Sequence, residues 1–226
     1  MEKVLAFDLS SKCIGVVAAA IEDNKVKKIQ STSIIPPRFS PSSLGFMNAK
    51  KKITTTSGKQ MSCYVYKNET SVTFQEKRKR DKQVREAKNA FVINDISQKI
   101  DALITNFKPD KILVEKNEIF NGILTSILLA RINGVLFGIA NLHNINVVEF
   151  HVQEVRKPYN VMKLTSDFVK GKTSEELKDI PDITKRAIRK LMETKYNHEF
   201  LTDDESDACI VLDYYINYAS GSSNVG

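Results

Sequence analysis

The stretch VLAFDLSSKCIGVVAAA, residues 4–20, holds two apolar runs joined by a short polar link. Residues 4–7 have the length of a buried strand and end on an acid, Asp8. Residues 13–20 form a second run of the same kind, with Gly15 near its start. Asp23-Asn24 is a turn pair, and residues 26–35 alternate well enough for a third strand. Pro36-Pro37 then stops regular structure. Working outward, residues 36–61 are rich in Ser, Thr, Pro, Gly and Lys and read as a long excursion. Residues 63–66 and 70–74, separated by Lys67-Asn68-Glu69, predict a small hairpin.

Helical spacing begins after Glu76. Val84, Ala87, Phe91, Ile93, Ile96, Ile100, Leu103 and Ile104 predict a helix from about 77 to 106, closed by Phe107-Lys108-Pro109-Asp110. Residues 112–115 read as a buried strand ending in Glu115. An apolar helix over 119–142 follows, then a strand over 147–150, a helix over 182–196 and a last helix from Asp203 to about Tyr218. This order of elements predicts an α/β fold on one mixed sheet. The expected organisation is a single domain over residues 1–219, with 36–76 inserted, and a disordered tail over 220–226.

Composition bounds the function. In 226 residues, 42% are hydrophobic and 27% charged, an ordinary globular mixture able to bury a core. Lys and Arg outnumber Asp and Glu, 34 to 27, which points to a polyanionic partner, nucleic acid or an anionic membrane. Three cysteines, Cys13, Cys63 and Cys209, exclude a disulfide scaffold and fit a reducing compartment. The opening residues lack the apolar core of a signal peptide, so the expected location is the cytoplasm. Residues 119–140 approach the length of a membrane span. Arg131, Asn121 and Asn133 interrupt them, and a mid-span charge costs roughly 2.5–3.5 kcal/mol, so a helix buried in protein is expected instead.

Four acids occupy places where chemistry is done. Asp8 and Glu115 end apolar strands, at the rim of a sheet. Asp204 and Asp207 lie three apart, on one face of the last helix. Singly, each reads as a strand-end or cap residue, and Asp203 or Asp204 would serve as an N-cap. Together they suit hard divalent cations, which take oxygen ligands and can activate water for phosphodiester hydrolysis. His143, His151 and His198 show no zinc spacing, and no nucleophile elbow or phosphate-binding Gly-rich loop is present.

The set Asp8-Leu9-Ser10-Ser11 with Gly15, Val114-Glu115, and Asp204-Glu205-Ser206-Asp207-Ala208 resembles the RuvC family of Holliday junction resolvases. Val155-Arg156-Lys157 resembles that family's valine-basic motif, and Lys185 stands where a second basic residue is expected. The resemblance covers nearly the whole chain except 36–76. It implies a ribonuclease H-like mixed sheet flanked by helices, and a homodimer with the apolar helix 119–142 at its interface. It also implies catalysis by Asp8, Glu115, Asp204 and Asp207, which would hold two Mg²⁺ per site, with Mn²⁺ able to substitute. The partner would be branched DNA, chiefly four-way junctions, with no membrane and no small-molecule cofactor. The insertion and the Lys- and Asn-rich composition point to a bacteriophage member. The family's aromatic wedge follows its glutamate by three residues. That place is Glu118 here, and Phe120 is the candidate, with core packing as the competing reading.

Basic segments fit a DNA partner. Seven of the twelve residues from 77 to 88 are Lys or Arg. Lys77, Arg78, Lys79, Arg80 and Arg85 are expected to contact phosphates, together with Arg156, Lys157 and Lys185. The competing reading of 77–88 is a solvated helix face. Ser10 and Ser11 would bond a phosphate or cap their turn. Three further functions compete: a nuclease of the same fold acting on structured RNA, a non-catalytic branched-DNA-binding module, and a relative of actin-like ATPases. The last needs a second phosphate loop and a far longer chain.

Overall fold

A computed structural model describes residues 1–10, 12–55, 58–116, 123–178, 180 and 182–219. The chain divides into two compact units, residues 1–35 with 96–226, and residues 36–95.

The first unit is built on a five-stranded sheet. Its strands are β1 (Glu2–Asp8), β2 (Ile14–Glu22), β3 (Lys25–Ile34), β6 (Lys111–Lys116) and β7 (Asn146–His151), in the order β3-β2-β1-β6-β7. β1 runs antiparallel to β2 and parallel to β6, and β6 runs parallel to β7. Val4, Leu5, Ala6 and Phe7 are fully buried, as a central strand covered on both faces requires. The β2–β3 hairpin turns on Asp23 and Asn24, both at positive φ (52° and 54°). A two-residue loop that matches strand twist needs positive φ at both places, and Asp and Asn tolerate it better than most residues. β3 alternates exposed and half-buried residues, as an edge strand does.

Helix α1 (Phe74–Phe107) opens on a capping box, with Glu76 N–H donating to Thr73 Oγ1 and Thr73 N–H donating to Glu76 Oε2 at 2.7 Å. Its last turns bury Ile96, Ile100 and Ile104. It ends where Lys108 takes φ 52° before Pro109. Helix α2 (Ile123–Leu142) buries Ile132, Leu136 and Ala140. Among the described residues no helix is long and apolar enough to cross a membrane.

Between β7 and helix α6 (Ile183–Tyr196) lie three short helices that periodicity did not show: α3 (Val152–Arg156), α4 (Val161–Val169) and α5 (Ser174–Lys178). Elements of five to nine residues hold too few turns for a helical repeat to register. Helix α7 (Asp203–Tyr214) packs across β1 and β2 and continues as a single π-helical stretch, Tyr215–Ala219. Ala208, Cys209, Val211 and Leu212 of α7 join Val4, Ala6, Val17 and Leu113 in the main core. Residues 220–226 lie outside the described residues.

The second unit pairs β4 (Lys51–Thr54) with β5 (Gln60–Cys63). The expected hairpin of 63–66 with 70–74 does not form. Gly58, at φ 79°, reverses the chain one segment earlier, and residues 70–74 contribute a lone bridge from Ser71 to Thr54. Tyr66 instead packs its ring against Phe46, tilted by 33° with centroids 4.8 Å apart.

Candidate metal centre

Two elements deliver three carboxylates to one point. β1 ends at Asp8, and the first two turns of α7 supply Asp204 and Asp207. Each offers an oxygen, and the three atoms lie within 4.8 Å of one another. Asp204 and Asp207 share a face because they are three apart, while Asp203 turns toward Arg189 (3.5 Å) and Arg186 (3.9 Å) of α6.

The convergence depends on how α7 is seated. Gly15 pairs with Asp8 across the hairpin. A Cβ on Gly15 would lie 1.9 Å from the carbonyl oxygen of Asp204, so the helix backbone rests on β2 where a side chain cannot fit. The other side of the helix start is tied to β3. Glu205 is 1% exposed and accepts hydrogen bonds from Ser31 Oγ (2.8 Å), Ser33 Oγ (2.7 Å) and Leu201 N–H (3.0 Å). Thr202 caps the helix by accepting from the N–H of Glu205. Sequence reasoning missed Glu205. Its signal was the Thr202-x-x-Glu205 spacing of a capping box, ahead of an apolar run.

Lys185 Nζ stands 2.9 Å from Asp207 Oδ2 and 3.3 Å from Asp204 Oδ1. Burial pushes the Asp8 carboxyl well above the usual carboxylate range, and the like charges of Asp207 and Glu115 add to the rise, against Lys185. Asp207 is raised too, by burial first, with Lys185 pulling it down. Burial alone would lower Lys185, but Asp207, Asp8 and Asp204 outweigh it and hold the ammonium above its ordinary range. Asp207 Oδ1 is buried with no hydrogen-bond partner among the described residues. A crowded set of oxygen donors with an unsatisfied acceptor fits a hard divalent cation.

Glu115 is not one of the three that meet within 4.8 Å, though its charge acts on Asp8. β1 and β6 pair at Phe7 and Val114, so Glu115, the last residue but one of β6, follows the pair that precedes Asp8, and Arg156 Nε lies 3.9 Å from its Oε1. Lys157 is exposed just beyond α3, and Val155 is buried in the core. Ser10 Oγ accepts from the N–H groups of Lys12 and Cys13 and donates to the Cys13 carbonyl, so it caps its own turn. Ser11 and Phe120 lie outside the described residues.

The basic start of α1 sorts differently from expectation. Arg80 is 9% exposed, bonds Glu69 through both guanidinium nitrogens and the Tyr64 carbonyl through one, and lies 5.0 Å from the Tyr66 ring centre. It is buried in the second unit with its guanidinium taken by Glu69, unlike the exposed cations beside it. A buried guanidinium needs its carboxylate, and Glu69 supplies it. Lys77 is paired with Asp81 at 2.5 Å. Arg78, Lys79 and Arg85 are exposed. Arg80→Ala is expected to cost about 2 kcal/mol in thermal unfolding, since it leaves Glu69 and Tyr64 short of partners, while leaving the salt dependence of DNA binding unchanged.

A further acid went unread. Asp213, fully buried, accepts from Tyr159 Oη (2.5 Å), Tyr196 Oη, Lys195 Nζ (2.6 Å) and Asn217 Nδ2 (3.0 Å), and so joins the end of α7 to α6.

No protein-family model matches the chain, and no curated protein matches it. Solved structures do. A complex of Thermus thermophilus RuvC with a Holliday junction substrate aligns with a TM-score of 0.54 at 9% identity, covering 98% of each chain. A second T. thermophilus RuvC structure aligns at 0.48 and 9% identity, over 97% of this chain and 96% of the other. The yeast mitochondrial Holliday junction resolvase Ydc2 aligns at 0.39 and 14% identity, over 97% of this chain and 86% of the other. With its five-stranded mixed sheet between helices, and its likeness to the first of these structures, the chain has the ribonuclease H-like fold in the form RuvC takes.

Proposed function

We propose that this chain is a divalent-metal-dependent endonuclease that cuts branched DNA, chiefly four-way junctions. The observation that carries the reading is the convergence of Asp8, Asp204 and Asp207 within 4.8 Å at the end of the central strand, with a buried oxygen of Asp207 left over. That the fold is shared with a RuvC structure solved on a Holliday junction supports the choice of substrate.

Asp8, Asp204 and Asp207 would hold Mg²⁺ or Mn²⁺, and Glu115, from the next strand end, would complete a two-ion site. Ions bound there supply Lewis-acid activation of water and charge stabilisation at the leaving oxygen. Lys185 neutralises part of the carboxylate charge, which lets the acids approach one another before a cation arrives. Arg156, beside Glu115, and the exposed Lys157 next to it in the chain supply positive charge for the phosphodiester backbone.

A cleavage assay with Mg²⁺ on a synthetic four-way junction, its component duplex and a structured RNA tests the reading. Paired nicks in the junction with little cutting of duplex are expected. Cutting of the RNA alone would assign the chain to RNA processing, and junction binding without any cutting would make it a binding module.

A junction needs two cuts, and a twofold dimer supplies two sites. The described part of α2 supports a dimer face. Gly134 and Gly138 are exposed, and a Cβ on either would meet nothing within 4 Å, although a helical glycine costs about 1 kcal/mol against alanine. Small residues on an apolar helix permit close approach of another helix. Light scattering at micromolar concentration is expected to show a dimer, and Gly138→Leu to give a folded monomer. A wild-type monomer that still resolves junctions would overturn this part.

A further inference from the structure

The positive charge of this protein is not spread over it. Residues 36–95 hold 13 Lys and Arg against 5 Asp and Glu, a net charge of +8. The other 166 residues hold 21 against 22, a net charge of −1. The unit's acids are largely used internally. Glu69 is taken by Arg80, Asp81 by Lys50 (2.7 Å) and Lys77, and Glu76 by the Thr73 cap. Arg80 is buried, Lys77 is paired with Asp81, and Lys82 lies 3.8 Å from Glu86, but most of its other cations face outward. Arg78, Lys79, Lys82 and Arg85 on α1, with Lys51 and Lys52 on β4, are all exposed.

We propose that residues 36–95 are a grip for double-stranded DNA, binding the phosphate backbone of a duplex arm without regard to sequence. Arg78, Lys82 and Arg85 follow one another at i, i+4 and i+7, so they form one stripe on α1. Seven residues of helix rise about 10 Å, enough to follow several duplex phosphates, which come one per roughly 1.7 Å of axis. Like charges so arranged weaken an isolated helix, which a solvated face has no reason to collect. Single strands are the poorer fit, because they are held by stacking on open aromatic rings. The exposed rings of this unit are already engaged: Phe74 lies under Arg78 at 5.3 Å, Tyr66 meets Phe46 and Arg80, and Phe91 meets Phe39 at 5.8 Å. Only the choice of DNA as the polyanion rests on the proposed nuclease activity.

The test uses the full chain in metal-free buffer. Arg78, Lys79, Lys82 and Arg85 are changed together to Ala, and affinity for a four-way junction, one of its duplex arms and a single strand is measured from 50 to 200 mM salt. Four lost phosphate contacts are expected to flatten the slope of log K against log salt by about 3.6 on junction and duplex alike. The wild type then loses roughly a hundredfold more affinity across that range than the variant. A second variant, with Lys25, Lys27, Lys28 and Lys170 of the other unit changed to Ala, removes the same charge and is expected to keep the wild-type slope. Should the first variant melt lower than wild type, the pair Arg78→Ala and Lys82→Ala is expected to change the slope by about 1.8. An unchanged slope, an equal change in both quadruple variants, or a loss confined to the single strand overturns the proposal. Junction cutting by the wild type is scored separately with Mg²⁺. Cutting with an unchanged slope defeats the grip alone, and a flattened slope without cutting defeats the nuclease alone.

Discussion

Asp8→Asn is expected to abolish junction cleavage, a loss of at least about a hundredfold, while junction binding is retained. Removing one preorganised charge at a reaction centre typically costs about 10²–10³ in rate. Asn keeps the shape of Asp8 but removes a ligand charge from the three carboxylates that meet within 4.8 Å. The DNA surface proposed above lies on other residues, so affinity should survive. Folding should survive too, because three crowded carboxylates repel, and neutralising one relieves the repulsion. Thermal melting gives a readout independent of cleavage. Mg²⁺ should raise the melting temperature of the wild type, since a ligand that binds only the folded state stabilises it, and should do little for the variant. Asp203→Asn is the control, because Asp203 faces Arg186 and Arg189, and it should keep cleavage. Full activity in Asp8→Asn would remove Asp8 from the site.

Gly15→Ala is expected to cost about 3 kcal/mol of stability and to lower cleavage out of proportion to that cost. The added Cβ would lie 1.9 Å from the carbonyl oxygen of Asp204, 2.2 Å from its carbonyl carbon and 2.6 Å from the Glu205 nitrogen. These are backbone atoms, so the start of α7 must move bodily. Overpacking of this kind costs typically 1–3 kcal/mol, and about 1 Å of misplacement at a catalytic group can cost 10²-fold in rate. The helix cannot yield freely, because Glu205 is held by Ser31, Ser33 and Leu201. Chemical denaturation and a cleavage rate at saturating substrate measure the two effects. Wild-type stability in this variant would show that the close approach of α7 to β2 is not needed.

Much of the candidate site's geometry was legible in the sequence. Strand-end acids and a pair of acids three apart on a helix are local patterns, and β1 and α7 place Asp8, Asp204 and Asp207 together as those patterns implied. Other parts were not. Arg80 sits in the same run of basic residues as Arg78 and Lys79, and nothing in that run marks it as the one that turns inward. Its burial follows from Glu69, Tyr66 and Phe46, which reach it only through the fold of the second unit. The expected hairpin of 63–66 with 70–74 failed for a like reason. Both segments carry strand residues, but the turn at Gly58 gave residues 60–63 an earlier partner in 51–54.

By itself the amino-acid sequence determined the succession of the five main-sheet strands along the chain, the Asp23-Asn24 turn, the end of α1 at Lys108-Pro109 and the residues that could bear a metal. Each rests on interactions among near neighbours in the chain, namely side-chain period, turn dihedrals and the missing N–H of proline. Tertiary structure alone decided which acids share a point and which stand apart. Glu115 lies near the end of its strand as Asp8 lies at the end of β1, yet it is outside the cluster of three, because the position of α7 selects the partners. That position is set by a glycine on β2 and two serines on β3, more than 160 residues away along the chain. Contacts at such separation carry no periodic trace in the sequence, since they depend on the packing of whole elements and not on the spacing within any one of them.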